Sequence, residues 1–389
     1  MDDGPMDIPG LTPEQNAERR VRDIQGAETI VAHSGGGFFP TLLKLKDGSL
    51  GAVVRGGAPH VGVLSRLDLI RSWDGGKTWN FDSTIVPGTM QWDNRGSTAG
   101  VMADGTIVVC YWENYCYHGY LFDYWADTPS KAFYVYSADN GRTWSKKRPV
   151  NSRPVCPTVN FHGHIVTLPD GTGLMPAYGG AKGKPYCRSI VLRSKDNGRT
   201  WGEPSVIADG YNEVSLTCLR DGTVLAVMRN DTSTFDVGEA VARSTDGGRT
   251  WSEPVSATKP RQHPADILEL QSGNILMTYG NRIWDLAVGA VLSRDGGRTW
   301  DLENRVNLAR HNLTPNKNGA DTGYPSTVQI DDGTIVTAYY RVGHDGLTPE
   351  QQKRCIECLR VTFTEEAPAS LEMRSFEQLV VVRYREEQL

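Results

Sequence analysis

The 389-residue chain reads as an all-β protein, a six-bladed β-propeller built from four-stranded antiparallel blades. Three observations predict this. An eight-residue box, Ser-x-Asp-x-Gly-x-Thr-Trp, occurs five times, at Ser72 to Trp79, Ser137 to Trp144, Ser194 to Trp201, Ser244 to Trp251 and Ser293 to Trp300. Successive boxes start 65, 57, 50 and 49 residues apart, the spacing of a repeat architecture. Ahead of each box, and once more after the last, two apolar runs flank a tight turn: Asp47-Gly48, Asp104-Gly105, Asp170-Gly171, Asp221-Gly222, Ser272-Gly273 and Asp332-Gly333. Pairs of this kind between apolar runs signal β-hairpins.

Each unit therefore holds strand, Asp-Gly turn, strand, loop, strand, box turn, strand, which is one propeller blade. The third strand is legible at Leu67-Asp68-Leu69-Ile70-Arg71 and at Ala240-Val241-Ala242-Arg243. The sixth unit, from about Tyr324 to Phe363, has the hairpin without a box. Glu28-Thr29-Ile30-Val31 has no unit of its own and is expected to pair with the sixth blade, closing the ring and removing its free edges. Residues 371–384 read as a final strand outside the six units. Residues 1–25 read as a polar N-terminal extension and 26–389 as the single propeller domain. Within the extension, Thr12-Pro13-Glu14-Gln15 starts a helix, with a cap and a proline at the first helical position. The letters LTPEQ recur at 347–351 and read as an unrelated second helix start.

The box residues have fold-holding roles. The Asp accepts hydrogen bonds from backbone N–H groups of its own turn, the Gly supplies a positive φ, and the Trp lays a large ring between blades. Five near-copies cannot each be an active site, so function is sought in what is not repeated, on the opposite rim.

Composition narrows the partners. With 41 basic and 46 acidic residues the net charge is −5, and neither nucleic acid nor an anionic membrane is an expected partner. No apolar stretch reaches membrane-spanning length. The seven cysteines are odd in number and scattered, and Met1-Asp2-Asp3-Gly4 is not a secretory leader, so a cytoplasmic setting with reduced thiols is expected. No cofactor and no metal are expected. Cys355-x-x-Cys358 lacks a second cysteine pair, and on a strand its thiols point to opposite faces. His162-x-His164, which puts both rings on one strand face, forms with His118 or His263 the alternative metal set.

The rim opposite the boxes collects Arg55, His60 and Arg66 from blade one, and Asp93, Arg95 and His118 from blade two. Blade three adds His162 and Tyr178, blade four Glu213 and Arg229, blade five His263, Asp266 and Arg282, and blade six Tyr324 and Arg341. Such a crowd of Arg, His, Tyr and carboxylates marks a polar ligand site.

Box repeats on six blades, Asn212-Glu213 opening blade four and Gly323-Tyr324-Pro325-Ser326 opening blade six, resemble the sialidase (neuraminidase) superfamily over roughly residues 27–363. The resemblance implies a glycosidase acting on an oligosaccharide or glycoconjugate, with Tyr324 as nucleophile, Glu213 as its activating base, and Arg229 and Arg282 as two of three arginines on the substrate carboxylate. A phenol suits such a sugar because the carboxylate at its anomeric carbon repels a carboxylate nucleophile. Two positions depart from the pattern. Phe38 stands where the first arginine belongs, and the loop from Gly56 to Arg66, which should carry an acid/base Asp, has no carboxylate and only His60 as a strong proton carrier. Typical sialidase activity is therefore expected to be weak, unless Arg55, Arg66 or Arg341 rebuilds the carboxylate seat. Tyr324 and Glu213 are expected within hydrogen-bonding reach, with Glu213 shielded from the arginines so that it stays basic. Three readings are open: an exo-glycosidase on an acidic sugar with His60 as proton donor, a lyase for uronate-linked glycans with His60 or His118 as base and Tyr324 as acid, and a non-catalytic carbohydrate-binding propeller.

Overall fold

The computed structural model describes residues 10, 12–58, 62, 64–114, 117–118, 121–122, 130–180, 183, 186–232, 237–282, 286–310, 322–342 and 377–389. Six four-stranded antiparallel sheets follow one another along the chain. Blade one is Gly36–Lys44, Leu50–Gly56, Arg66–Ser72 and Asn80–Val86, from the inner strand outward. Blade four is Tyr211–Cys218, Val224–Asn230, Glu239–Ser244 and Val255–Ser256, and blade five is Gln262–Glu269, Ile275–Asn281, Ala287–Ser293 and Val306–Arg310. Blade six takes Thr322–Gln329, Ile335–Val342 and Glu377–Tyr384, and its outer strand is the N-terminal Glu28–Ser34. The expected closure therefore holds, with Glu28 opposite Arg383 and Val31 opposite Val380. One boundary needs correction. The strand read as lying outside the units is the third strand of blade six, so the sixth unit runs past Phe363 to Tyr384.

All six turn glycines have positive φ, from 83° to 92°. The boxes act as their chemistry dictates. In blade four, Asp246 accepts from the Thr250 N–H at 2.9 Å and the Thr250 hydroxyl at 2.6 Å, while Ser244 Oγ takes the Gly248 N–H at 2.8 Å and the Trp251 indole donates to the Gly248 carbonyl at 3.0 Å. Each box tryptophan packs into the apolar layer toward the preceding blade: Trp79 against blade six, Trp144 against blade one, Trp201 against two, Trp251 against three and Trp300 against four. Blade six has no box, and the layer between it and blade five is completed by Ile24, Ala27 and Leu389.

That substitution explains the N-terminal segment. Residues 13–25 are part of the folded body. After the helix Pro13–Arg19, Ile24 N–H donates to the Asn307 carbonyl and Asn307 N–H to the Arg22 carbonyl, laying the segment along the outer strand of blade five. Glu18 is buried against Arg305, Gln262 and Asn281 of the same blade. The second LTPEQ, at 347–351, lies outside the described residues.

The inner strands are joined around the axis by a closed ring of hydrogen bonds. Leu42 N–H donates to Ser326 Oγ (blades one and six), Ser97 Oγ to the Phe39 carbonyl (two and one), and Thr98 Oγ1 to the His162 carbonyl (two and three). His164 N–H reaches Ser215 Oγ, which donates to Asp266 Oδ1 at 2.7 Å, and Asp266 Oδ2 accepts the Thr327 N–H at 2.7 Å. Every link joins two blades, so the ring substitutes for apolar packing where the strands converge.

Candidate functional site

The site opens where the inner strands begin. In blades one, two, four, five and six the first hairpin slips register at this end. A bulge re-aims side chains that a regular ladder would send into the inter-blade layers. Phe39 and Tyr324, each followed by proline, sit at φ 52° and 51°, a strained region for aromatic residues that clusters at functional sites.

Tyr324 is nearly buried, and its hydroxyl donates a short hydrogen bond to Glu213 Oε1. Glu213 Oε2 accepts from Arg229 at 2.8 Å, and the Arg282 guanidinium lies 5.6 Å from the centre of the Tyr324 ring. Phe39 meets the same ring edge-on at 4.8 Å, His162 meets it at 5.4 Å, and Tyr340 stacks on it at 5.7 Å. The site thus has an aromatic wall on blades one and six and a cationic wall on blades four and five. Phe38 is buried behind Phe39, against Tyr340.

The electrostatics follow. Burial raises the Glu213 carboxyl, but Arg229, His162 and the Tyr324 hydroxyl together outweigh it and hold the group at about 2. Burial and Glu213 push the Tyr324 phenol well above its ordinary 10, against the pull of Arg282 and Arg229. Burial, Arg229 and Arg282 press His263 down to about 3, and neither of its ring nitrogens has a hydrogen-bond partner among the described residues. His162 is also lowered, chiefly by burial.

The expected shielding of Glu213 is absent. The hairpin pairs Asn212 with Arg229, and the bulge after Asn212 turns Glu213 onto the arginine of the neighbouring strand. As the structure stands Glu213 is a paired anion, and it becomes an effective base only if Arg229 is drawn elsewhere.

The other predicted residues divide. Arg55 is fully buried in an ion pair with Asp93 at 2.6 Å and donates to the Asn94 carbonyl, so these two brace the first loop. Arg66 pairs with Asp68 at 2.6 Å, and Arg341 donates to Gln378 at 3.1 Å. Arg95 lies 3.8 Å from Asp93 and 5.9 Å from the Trp112 ring centre. Asp266 lies on the axis, bound to His164 at 3.1 Å besides its two ring bonds. His60 falls outside the described residues, as do Cys355 and Cys358. The backbone of His118 belongs to a short hairpin, Tyr117–His118 with Leu121–Phe122.

Ser326, His164 and Asp266 resemble a hydrolytic triad by composition, but both partners meet the same nitrogen, His164 Nε2. A relay needs opposite ring nitrogens, so this is a structural cluster. Among the described residues no group of three or more His, Cys, Asp or Glu is arranged to hold a metal ion.

Sequence reasoning missed Glu239. It opens the third strand of blade four directly opposite Arg229, fully buried. Burial, then Glu213, pushes its carboxyl well above the usual range. The available signal was a carboxylate at the rim end of a strand, ahead of the apolar run Ala240-Val241-Ala242 and paired in hairpin register with an arginine.

Comparison with known proteins agrees with this architecture. Residues 122–337 match the BNR repeat-like domain family. A sialidase of Clostridium perfringens is 26% identical over 221 residues, covering 51% of this chain and 56% of that protein, so the chain spans about half the length of this relative. In fold, a Dyadobacter fermentans protein of unknown function superposes with a TM-score of 0.70 at 19% identity, covering 93% of this chain and all (100%) of that one. The intramolecular trans-sialidase of Ruminococcus gnavus superposes with a TM-score of 0.63 at 14% identity, covering 94% and 98% of the two chains.

Proposed function

Because the chain belongs to the BNR repeat-like domain family, in a sialidase-like form, we propose that it is a glycoside hydrolase that removes an acidic sugar from a glycan, with Tyr324 as nucleophile and Glu213 as its base. The observation that carries the reading is the Tyr324 hydroxyl bonded to Glu213, with Arg229 and Arg282 alongside. The sugar's anion takes the guanidinium groups of Arg282 and Arg229. As Arg229 turns to it, Glu213 regains basicity and accepts the phenolic proton. The phenolate oxygen then bonds to the anomeric carbon while the glycosidic bond breaks, and the leaving oxygen takes a proton, assigned in this reading to His60. Water completes the cycle by attacking the anomeric carbon and giving its proton to His60, which is thereby restored, while the bond to Tyr324 breaks and the phenolate recovers its proton from Glu213.

A second reading, a lyase for uronate-linked glycans, draws support from the strongly raised Tyr324 phenol, which suits an acid better than a nucleophile. The deciding experiment is a screen of sialosides and uronate-containing oligosaccharides with product analysis, on the wild type and on Tyr324→Phe. Release of a saturated acidic sugar, lost in the variant, supports the hydrolase. A product absorbing in the ultraviolet supports the lyase. Binding without turnover on the whole panel refutes both and favours a carbohydrate-binding propeller.

A further inference from the structure

The layer between blades four and five holds polar groups that reaction at Tyr324 leaves unused. Glu239 is fully buried, and neither of its carboxyl oxygens has a hydrogen-bond partner among the described residues. Arg229 and Arg282 are the cations acting on it, and the Nε–H of each is likewise without a hydrogen-bond partner there. Two unused acceptors and two unused donors thus share one buried layer. Buried polar groups are rarely left unsatisfied, and these complement one another.

The geometry points to Glu239 as a proton-controlled competitor for the arginines that receive the ligand's anion. This rests on the reading above, that Arg229 and Arg282 seat an anionic ligand. Among the described residues, the charged and titratable groups facing the layer are Glu213, Arg229 and Glu239 from blade four, His263 and Arg282 from blade five, and Tyr324 from blade six, with Arg261 acting on His263. His263 and the Tyr324 phenol are held neutral by their surroundings. Lys259 turns its ammonium away, toward Glu18 at 3.6 Å. With Glu239 protonated, two guanidinium groups face one carboxylate, and a surplus positive charge attracts an anion. With Glu239 ionised, two face two, and its oxygens claim the unused Nε–H groups. A buried carboxylate without partners is costly, and burial with Glu213 nearby favours the protonated form, in keeping with carboxyl oxygens that make no hydrogen bond to the arginines. Anion binding is therefore linked to one proton on Glu239.

The test is calorimetric titration from about pH 5.5 to about pH 8.5, in two buffers of different ionisation enthalpy. Acetate serves as the minimal carboxylate probe, and N-acetylneuraminate and glucuronate as sugar acids. Above the Glu239 pKa, acetate affinity should fall toward about tenfold per pH unit with uptake approaching one proton per ligand. Glu239→Gln should bind acetate with no proton uptake and no pH dependence, and more tightly than wild type at the alkaline end. Flat affinity without proton uptake in the wild type overturns the inference. So does an unchanged slope in Glu239→Gln, or no acetate binding at any pH. Should Glu239→Gln fail to fold, proton uptake by the wild type decides alone. If acetate binding is proton-linked and neither sugar acid binds, the inference stands and the acidic-sugar reading fails.

Discussion

Replacing Asp266 tests whether the axial ring holds the blades together. Its carboxylate is buried and accepts from Ser215 Oγ and the Thr327 N–H, both at 2.7 Å, besides its 3.1 Å contact with His164. The partners come from blades four, six and three. A hydrogen bond to a charged acceptor contributes about 1.5–3 kcal/mol, and breaking a buried ion pair by removing one partner costs about 3–5 kcal/mol. Asp266→Ala should therefore lose about 4 kcal/mol, since Thr327 and Ser215 relax only partly onto water. Asp266→Asn keeps one acceptor and should lose about half as much.

The pH dependence has a defined sign. Despite burial, Asp266 lifts the His164 imidazole above its ordinary 6.5, so that contribution is full below 6.5 and lost as pH rises through the folded value. Asp266 resists burial through His164 and its hydrogen bonds and lies below 3.8, so its contribution is full above 3.8 and lost as pH falls through the folded value. The stability gap between wild type and Asp266→Asn should be widest near pH 5 to 6 and narrow toward pH 9. Urea unfolding followed by tryptophan fluorescence at several pH values measures it. A loss under about 1 kcal/mol for Asp266→Ala, or a gap that stays constant from about pH 5 to about pH 9, would refute the reasoning.

Trp251→Ala should cost about 2–3 kcal/mol, because the ring is half-buried between blades three and four, and should leave the activity of folded molecules unchanged; loss of activity at full stability would mean that the box rim carries the site. Glu239→Gln should stabilise the protein at neutral pH. The raised carboxyl of Glu239 favours folding only below its unfolded value, and above that about 1.4 kcal/mol is lost per pH unit until the folded value is reached, so an unchanged melting temperature at pH 8 argues against the shift. Removing residues 1–25 should destabilise the propeller measurably, since Glu18 and Ile24 bind blade five; unaltered unfolding would show that the segment only lies on the surface. Hydrolysis of a simple aryl sialoside should be slow, because Phe38 and Phe39 form an aromatic wall where the superfamily resemblance implies an arginine; rapid release would mean that the seat is built differently.

Much of the architecture was legible because its signals are local. A box turn closes within eight residues through its own Ser, Asp, Gly and Thr, and each hairpin turn carries its own glycine. Blade number and the closing strand followed from counting these turns. The pairing of Tyr324 with Glu213 was legible only through resemblance, since nothing within either stretch indicates the other. Blade six shows where reading along the chain fails. Its third strand lies far past its hairpin and carries no box, so only pairing with Ile335–Val342 identifies it.

The amino-acid sequence by itself determined six hairpins, five boxes, an N-terminal strand left to close the ring, and the residue types crowding one rim. These depend on torsional preferences and hydrogen bonds within a few residues. Only the tertiary structure decided which rim residues meet. It committed Arg55 to Asp93 and Asp266 to the axis, turned Glu213 onto Arg229, and buried Glu239 beside that arginine without a bond. Those outcomes depend on bulges at the strand starts and on ring closure, which join side chains from blades far apart in the chain. A one-residue change of register re-aims a side chain, and the charge of a buried group is set by everything packed around it.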